Sequence, residues 1–171
     1  YTFAKAVVAC GAFSKKLTDQ LDEKIPLDTE RGYHVHFKDH DHLLSRPVIF
    51  LNKGFGITPM EQGLRVVGTV EFGGLGAPAS KKRILNLVNN AKYLFPELTK
   101  HYDEWLGFRP TLPDFLPVIG PSKKYENLFY CFGHHHLGWT LGAISGKIIS
   151  SMINKENTNL NLTPYKSSRF N

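Results

Sequence analysis

The chain has 171 residues, 42% of them hydrophobic and 21% charged, enough for one large domain or two small ones and close to the soluble globular average. That excludes disorder, collagen-like repeats and coiled coils, and no apolar run reaches the ~20 residues that span a bilayer. The net charge is +6, but 15 of the 21 cations are Lys scattered along the chain without a basic–aromatic motif. Such scatter reads as a solvated surface and argues against nucleic-acid binding.

The chain opens on Tyr1, Thr2, Phe3, Ala4 and Lys5, with no initiator Met and no secretory signal pattern. Ala6 to Gly11 then reads as a buried strand ending in a turn. A strand buried on both faces needs sheet neighbours, and none precedes it, so the expectation is a C-terminal piece of a longer protein. Ser14 to Leu21 has the spacing of a short helix, and Tyr33-His34-Val35-His36-Phe37 alternates as a strand. Val48 to Leu51 and Phe55 to Pro59, joined by Asn52-Lys53-Gly54, predict a hairpin. Leu64 to Phe72 is rich in β-branched residues and predicts a further antiparallel strand.

At Ser80 the period changes. Ile84, Leu85, Val88, Ala91, Leu94 and Phe95 recur at helical spacing, with Ser80 as N-cap and Pro96 ending the run. A second short helix is expected over residues 97–105. Residues 107–122 hold four of the ten prolines and are expected to be neither helix nor central strand. Leu128 to Phe132 predicts a strand and Leu137 to Ile153 a helix, buried through Leu141, Ile144, Ile148, Ile149 and Met152. Gly138, Gly142 and Gly146 leave a stripe of that helix without side chains. Residues 154–171 read as a polar, irregular tail.

Several stretches could carry chemistry. A strand, a glycine turn and a helix over Cys131 to Leu141 would present free N–H groups and a positive dipole end to an anion or an electron-rich ring, or simply join two elements. His134, His135 and His136, and the alternating His34, His36, His40 and His42, invite a metal reading, but neither set has carboxylate–histidine or CxxC spacing, and loop or surface histidines are the preferred reading. Arg109, between Phe108 and Pro110, needs an anionic partner, which is Asp114, Glu104 or a substrate carboxylate. Cys10 and Cys131 lie in apolar runs without pairing spacing and read as buried free thiols, consistent with a reducing, intracellular compartment. No Ser-His-Asp arrangement, P-loop or complete GxGxxG is present.

Gly107-Phe108-Arg109-Pro110-Thr111-Leu112-Pro113-Asp114, Leu116-Pro117-Val118-Ile119-Gly120 and Phe132 through Leu141, in this order and spacing, resemble the C-terminal half of the FAD-dependent D-amino acid oxidase family, and within it the D-amino acid dehydrogenases. Val7 to Ser14, Arg31-Gly32-Tyr33-His34 and Gly63 to Gly74 support the resemblance, which covers nearly the whole chain. It implies an α+β fold: a mostly antiparallel substrate-lobe sheet with packing helices, plus the strand-loop-helix of an FAD-binding α/β lobe. Residues 1–24 would end the middle section of the FAD lobe, 25–105 form the substrate lobe, 106–154 return to the FAD lobe and 155–171 form a tail.

The activity implied is oxidation of D-amino acids to 2-oxo acids and ammonia by hydride transfer to flavin. The alternatives are a glycine- or sarcosine-type amine oxidase of the same family and a non-catalytic remnant of the substrate lobe. Arg109 matches the family's carboxylate-binding arginine. Gly11 and Ala12 correspond to a turn near the cofactor's nucleotide half. Gly133, His134, His135, His136, Leu137, Gly138, Trp139 and Thr140 match the segment that meets the flavin. The family's Gly-His-Gly-His reads Gly133-His134-His135-His136 here, which strains the backbone if φ at His135 is positive. The implied partners are an amino-acid substrate, an N-terminal FAD-binding segment that should precede Tyr1, and a respiratory electron acceptor. The implied location is cytoplasmic, at most peripheral at the inner membrane. Without the dinucleotide fingerprint, the chain alone is expected to be colourless and inactive.

Overall fold

The computed structural model describes residues 2–170. The chain divides into two compact units, one combining Tyr1–Thr29 with Arg109–Asn171, the other Glu30–Phe108. The fold is α+β, with two separate sheets and three α-helices among the described residues. Among the described residues, no helix is long and apolar enough to cross a membrane.

The first unit holds a three-stranded sheet. Strand β1 (Ala6–Val8) is followed by a short 3-10 turn and helix α1 (Ser14–Gln20). The chain leaves along β2 (Asp28–Phe37) and returns on β6 (His101–Thr111) to β7 (Val118–Pro121), β8 (Leu128–Phe132) and helix α3 (Gly138–Ile153). The strand order is β1-β8-β7, with β1 parallel and β7 antiparallel to β8. Alternation along β8 fills both faces: Leu128, Tyr130 and Phe132 pack with Val8, Leu27 and Leu112, whereas Phe129 packs with Ile119, Ile148 and Ile149. Buried Glu23 accepts hydrogen bonds from the hydroxyls of Ser122 and Tyr130 (2.9 Å for the latter). That ties the exit of α1 to the β7–β8 hairpin.

The second unit is a five-stranded sheet of order β3-β4-β5-β2-β6, with β3 at Val48–Phe50, β4 at Phe55–Met60 and β5 at Gly63–Phe72. One face carries Tyr33, Val35, Phe37, Ile57, Leu64 and Val66, all fully buried. Helix α2 (Lys81–Leu94) covers this face with Ile84, Leu87, Val88 and Ala91, the i, i+3, i+4, i+7 stripe of an amphipathic helix. Burying a side chain such as Leu87 contributes about 2–3 kcal/mol. Beside this core lies a fully buried cation, Arg31, with its Nε 3.4 Å from Glu71 and its NH2 donating to the Pro78 carbonyl at 2.8 Å. Glu71 also accepts from the Tyr33 hydroxyl at 2.5 Å and faces Arg83 Nε at 3.3 Å.

The hairpin, β5, α2, β8 and α3 stand where their periodicity places them, except that on α3 Ile144 is exposed and Ser145 is buried next to it. Other expectations also need correction. Residues 101–105 are strand, not helix: His101 to Trp105 lie on β6, at one edge of the five-stranded sheet, where exposure removes the apolar alternation that would mark a strand. The proline-rich stretch is neither helix nor central strand, as expected: β7 lies at a sheet edge and ends on Pro121. The opening strand is only three residues long, with Val8 alone buried, and Cys10 is exposed while Cys131 is half-buried, both as free thiols. The tail is docked, not irregular: 3-10 turns at Thr163–Tyr165 and Ser167–Phe170 place Leu162 and Tyr165 against the α3 side of the sheet and Phe170 against the other.

Candidate functional site

Because β1 and β8 are parallel, with Ala6 opposite Leu128 and Val8 opposite Tyr130, their carboxyl ends deliver two turns to one edge of the sheet. That is the edge at which open α/β sheets receive ligands. The first turn contains Gly11 and Ala12. Gly11 has φ +54°, and a Cβ there would touch nothing. The second begins at Gly133, where φ is +83° and a Cβ would lie 2.5 Å from Leu112 Cδ1. Only glycine passes there without displacing the Leu112 side chain.

Past Gly133 the loop is pinned at two points. The His134 ring places Nε2 2.9 Å from the Ser145 hydroxyl on α3, and burial holds its pKa below the usual histidine value. His135 has φ +52°, so the residue standing where the family has glycine does adopt the left-handed conformation. Its N–H donates to the Pro110 carbonyl at 3.0 Å, and its ring meets Phe115 edge-on at 5.0 Å. His136, Leu137, Gly138, Trp139 and Thr140 are exposed, Trp139 completely. Helix α3 starts at Gly138 behind Leu137, which offers no capping side chain. The N–H groups of Gly138, Trp139 and Thr140 therefore have no partner within the helix, and they stand at its positive end.

Arg109, the residue before Pro110, is partly buried. Its NH1 is shielded from solvent and has no hydrogen-bond partner among the described residues. Both candidate partners within the chain are engaged elsewhere. Asp114 takes a two-pronged contact from Arg169, Nε to Oδ2 at 2.6 Å and NH2 to Oδ1 at 3.2 Å, and this hydrogen bonding holds its carboxyl below the usual range. Glu104 pairs with His101 at 2.8 Å.

Of the alternating histidines, His34 and His36 come together, joined by Asp103 from β6. His40 and His42 face one another 6.2 Å apart and join no such group among the described residues. Ser145, Asp103 and Arg169 have no separate mark in the sequence. The nearest signal is Ser145, a polar residue on the buried stripe of α3.

A family model described as FAD dependent oxidoreductase matches residues 2–152. The chain is 34% identical over 170 residues to D-amino-acid oxidase of Bradyrhizobium diazoefficiens, covering 96% of this chain and 40% of the relative. It is 32% identical over 158 residues to D-amino acid dehydrogenase of Granulibacter bethesdensis, covering 90% and 38%. In fold it resembles glycine oxidase from Geobacillus kaustophilus, with TM-score 0.82, 24% identity, 96% of this chain and 45% of that one. The chain thus spans about 40% of the length of the curated relatives it matches. It belongs to the D-amino acid oxidase family of FAD-dependent oxidoreductases.

Proposed function

We propose that this chain is the substrate-binding and flavin-contacting portion of an FAD-dependent D-amino acid dehydrogenase, which converts D-amino acids to 2-oxo acids and ammonia. The observation that carries the reading is Arg109: a guanidinium with a buried, unpartnered nitrogen, whose two candidate partners within the chain are engaged elsewhere, Asp114 by Arg169 and Glu104 by His101. A partly buried cation in that state calls for an anion, and the planar fork of arginine fits a carboxylate. Clamping the substrate carboxylate there fixes where its α-hydrogen points, an effect of orientation and not of acid–base chemistry.

The cofactor fits the residues present. FAD, when bound, supplies the two-electron acceptor for the hydride leaving the α-carbon. In the turn at Gly11 and Ala12, Gly11 has the open space and left-handed backbone that close approach of the nucleotide half would require, while Ala12 is buried behind it. The N–H groups of Gly138, Trp139 and Thr140, at the start of α3, would serve as backbone donors to the flavin ring and stabilise negative charge developing on it. The dinucleotide-binding segment comes from the part of the relatives that this chain does not span.

The test uses the FAD-loaded enzyme that contains this chain. Arg109→Ala should raise KM for D-alanine roughly 10–100-fold, the loss of a charged hydrogen-bonded contact, and Arg109→Lys should recover part of it. An unchanged KM overturns the assignment. Turnover of glycine or sarcosine in preference to D-alanine would move the activity to the amine-oxidase branch and leave the role of Arg109 in place.

A further inference from the structure

On the face of the five-stranded sheet opposite α2, the alternation of β2 sets His34 and His36 side by side, with ring centroids 4.8 Å apart. Asp103 on the neighbouring strand β6 turns Oδ2 toward both, 3.0 Å from His36 Nδ1 and 3.9 Å from His34 Nε2. All three ligand atoms lie within 4.8 Å of one another. Donors at ~2.0–2.2 Å from a tetrahedral zinc ion are separated by ~3.3–3.6 Å, so small side-chain adjustments close this set on one cation. His34 is held flat against Trp105, 4.9 Å away and 14° from parallel, and His36 stacks on Tyr102. The two rings are thus already oriented, while the half-exposed carboxylate leaves a way in from solvent.

We propose that His34, His36 and Asp103 form a binding site for a divalent cation of the zinc class, with two imidazoles, one carboxylate and a fourth position open to water. Nitrogen and oxygen donors in this ratio suit zinc and its neighbours and disfavour calcium and magnesium, which take oxygen ligands.

Arg65 sets the condition for binding. Its Nε donates to His36 Nε2 at 2.8 Å. Arginine cannot accept, so His36 carries its proton on Nδ1, directed at Asp103. Metal binding needs the other tautomer: the proton shifts from Nδ1 to Nε2, the cation takes its place between Nδ1 and Asp103, and Arg65 swings away from a nitrogen that has become a donor. No net proton is released from His36 in the exchange. An acceptor at position 65 would favour the metal-bound tautomer, as partners of metal-ligating histidines do.

The experiment titrates the 171-residue chain with Co²⁺, read by its visible absorption, followed by displacement with Zn²⁺. One equivalent should bind. Asp103→Asn and His34→Gln should each weaken binding at least 10-fold, Arg65→Gln should tighten it about 10-fold, and His136→Gln should leave it unchanged. Because Asp103 is half-exposed, Asp103→Asn keeps the fold, which circular dichroism checks. Absence of a stoichiometric Co²⁺ band, its persistence in Asp103→Asn, or its loss in His136→Gln overturns the proposal.

Discussion

The His135 amide donates to the Pro110 carbonyl at 3.0 Å, joining the loop ahead of α3 to the residue that follows Arg109. His135 takes the left-handed conformation, φ +52°, at the same point, so the chain turns sharply just past this bond. The arginine and the exposed donors of α3 are thereby held in one continuous piece of backbone.

Histidine and asparagine visit that conformation more readily than most residues, whereas β-branched side chains are strained there by ~1–2 kcal/mol. His135→Val should therefore destabilise the chain by about that amount, and His135→Asn should change it by less than about 0.5 kcal/mol. Equal urea midpoints for the two variants would refute the backbone argument.

Glu71 provides a pH test. Its pKa is held below the usual 4.5, first by the Tyr33 hydroxyl and then by Arg31 and Arg83. A carboxyl whose folded pKa is lowered binds fewer protons when folded, so its contribution is complete above about pH 4.5 and fades as the pH falls through the lowered value. Glu71→Gln leaves buried Arg31 without its counter-charge and should cost about 2 kcal/mol at neutral pH. The gap between wild type and variant should close in acid. A gap that persists or widens with acidification contradicts the assignment.

Gly133 and Gly142 make opposite predictions. A Cβ at Gly133 meets both a positive φ and Leu112, so Gly133→Ala should cost at least about 2 kcal/mol. Gly142 lies inside α3 with nothing within 4 Å of a Cβ, so Gly142→Ala should stabilise the chain by about 0.5–1 kcal/mol. Thermal unfolding of the two variants would separate these effects. A destabilised Gly142→Ala would show that the glycine stripe is covered.

Legibility in the sequence followed how local the cause was. Helix α2 was visible because it buries one regular stripe against a core, and β8 because burial on both faces leaves a short, continuous apolar run in the residue order. Strand β6 was hidden because Tyr102 to Trp105 are exposed at a sheet edge, where polarity carries no alternation. Arg109 stood out by its setting between Phe108 and Pro110, yet its want of a partner did not, since that depends on Arg169 reaching Asp114 from 55 residues away. The pairing of His34 with His36 followed from strand alternation alone. Asp103 joined them only through the lateral pairing of β2 with β6, a relationship that no local pattern encodes.

The split of the first unit between the two ends of the chain sets an order of events during synthesis. Val8 cannot meet Tyr130 until the intervening strands have been made, and at roughly 5–20 residues per second the ribosome spends several seconds on the roughly 80 residues between the two halves. The second unit has no such wait: Tyr33, Leu64 and Leu87 belong to a core contained within Glu30–Phe108. That core can close before β8 has been made, so β1 waits longer for its partner strand than any strand of the second unit waits for its own.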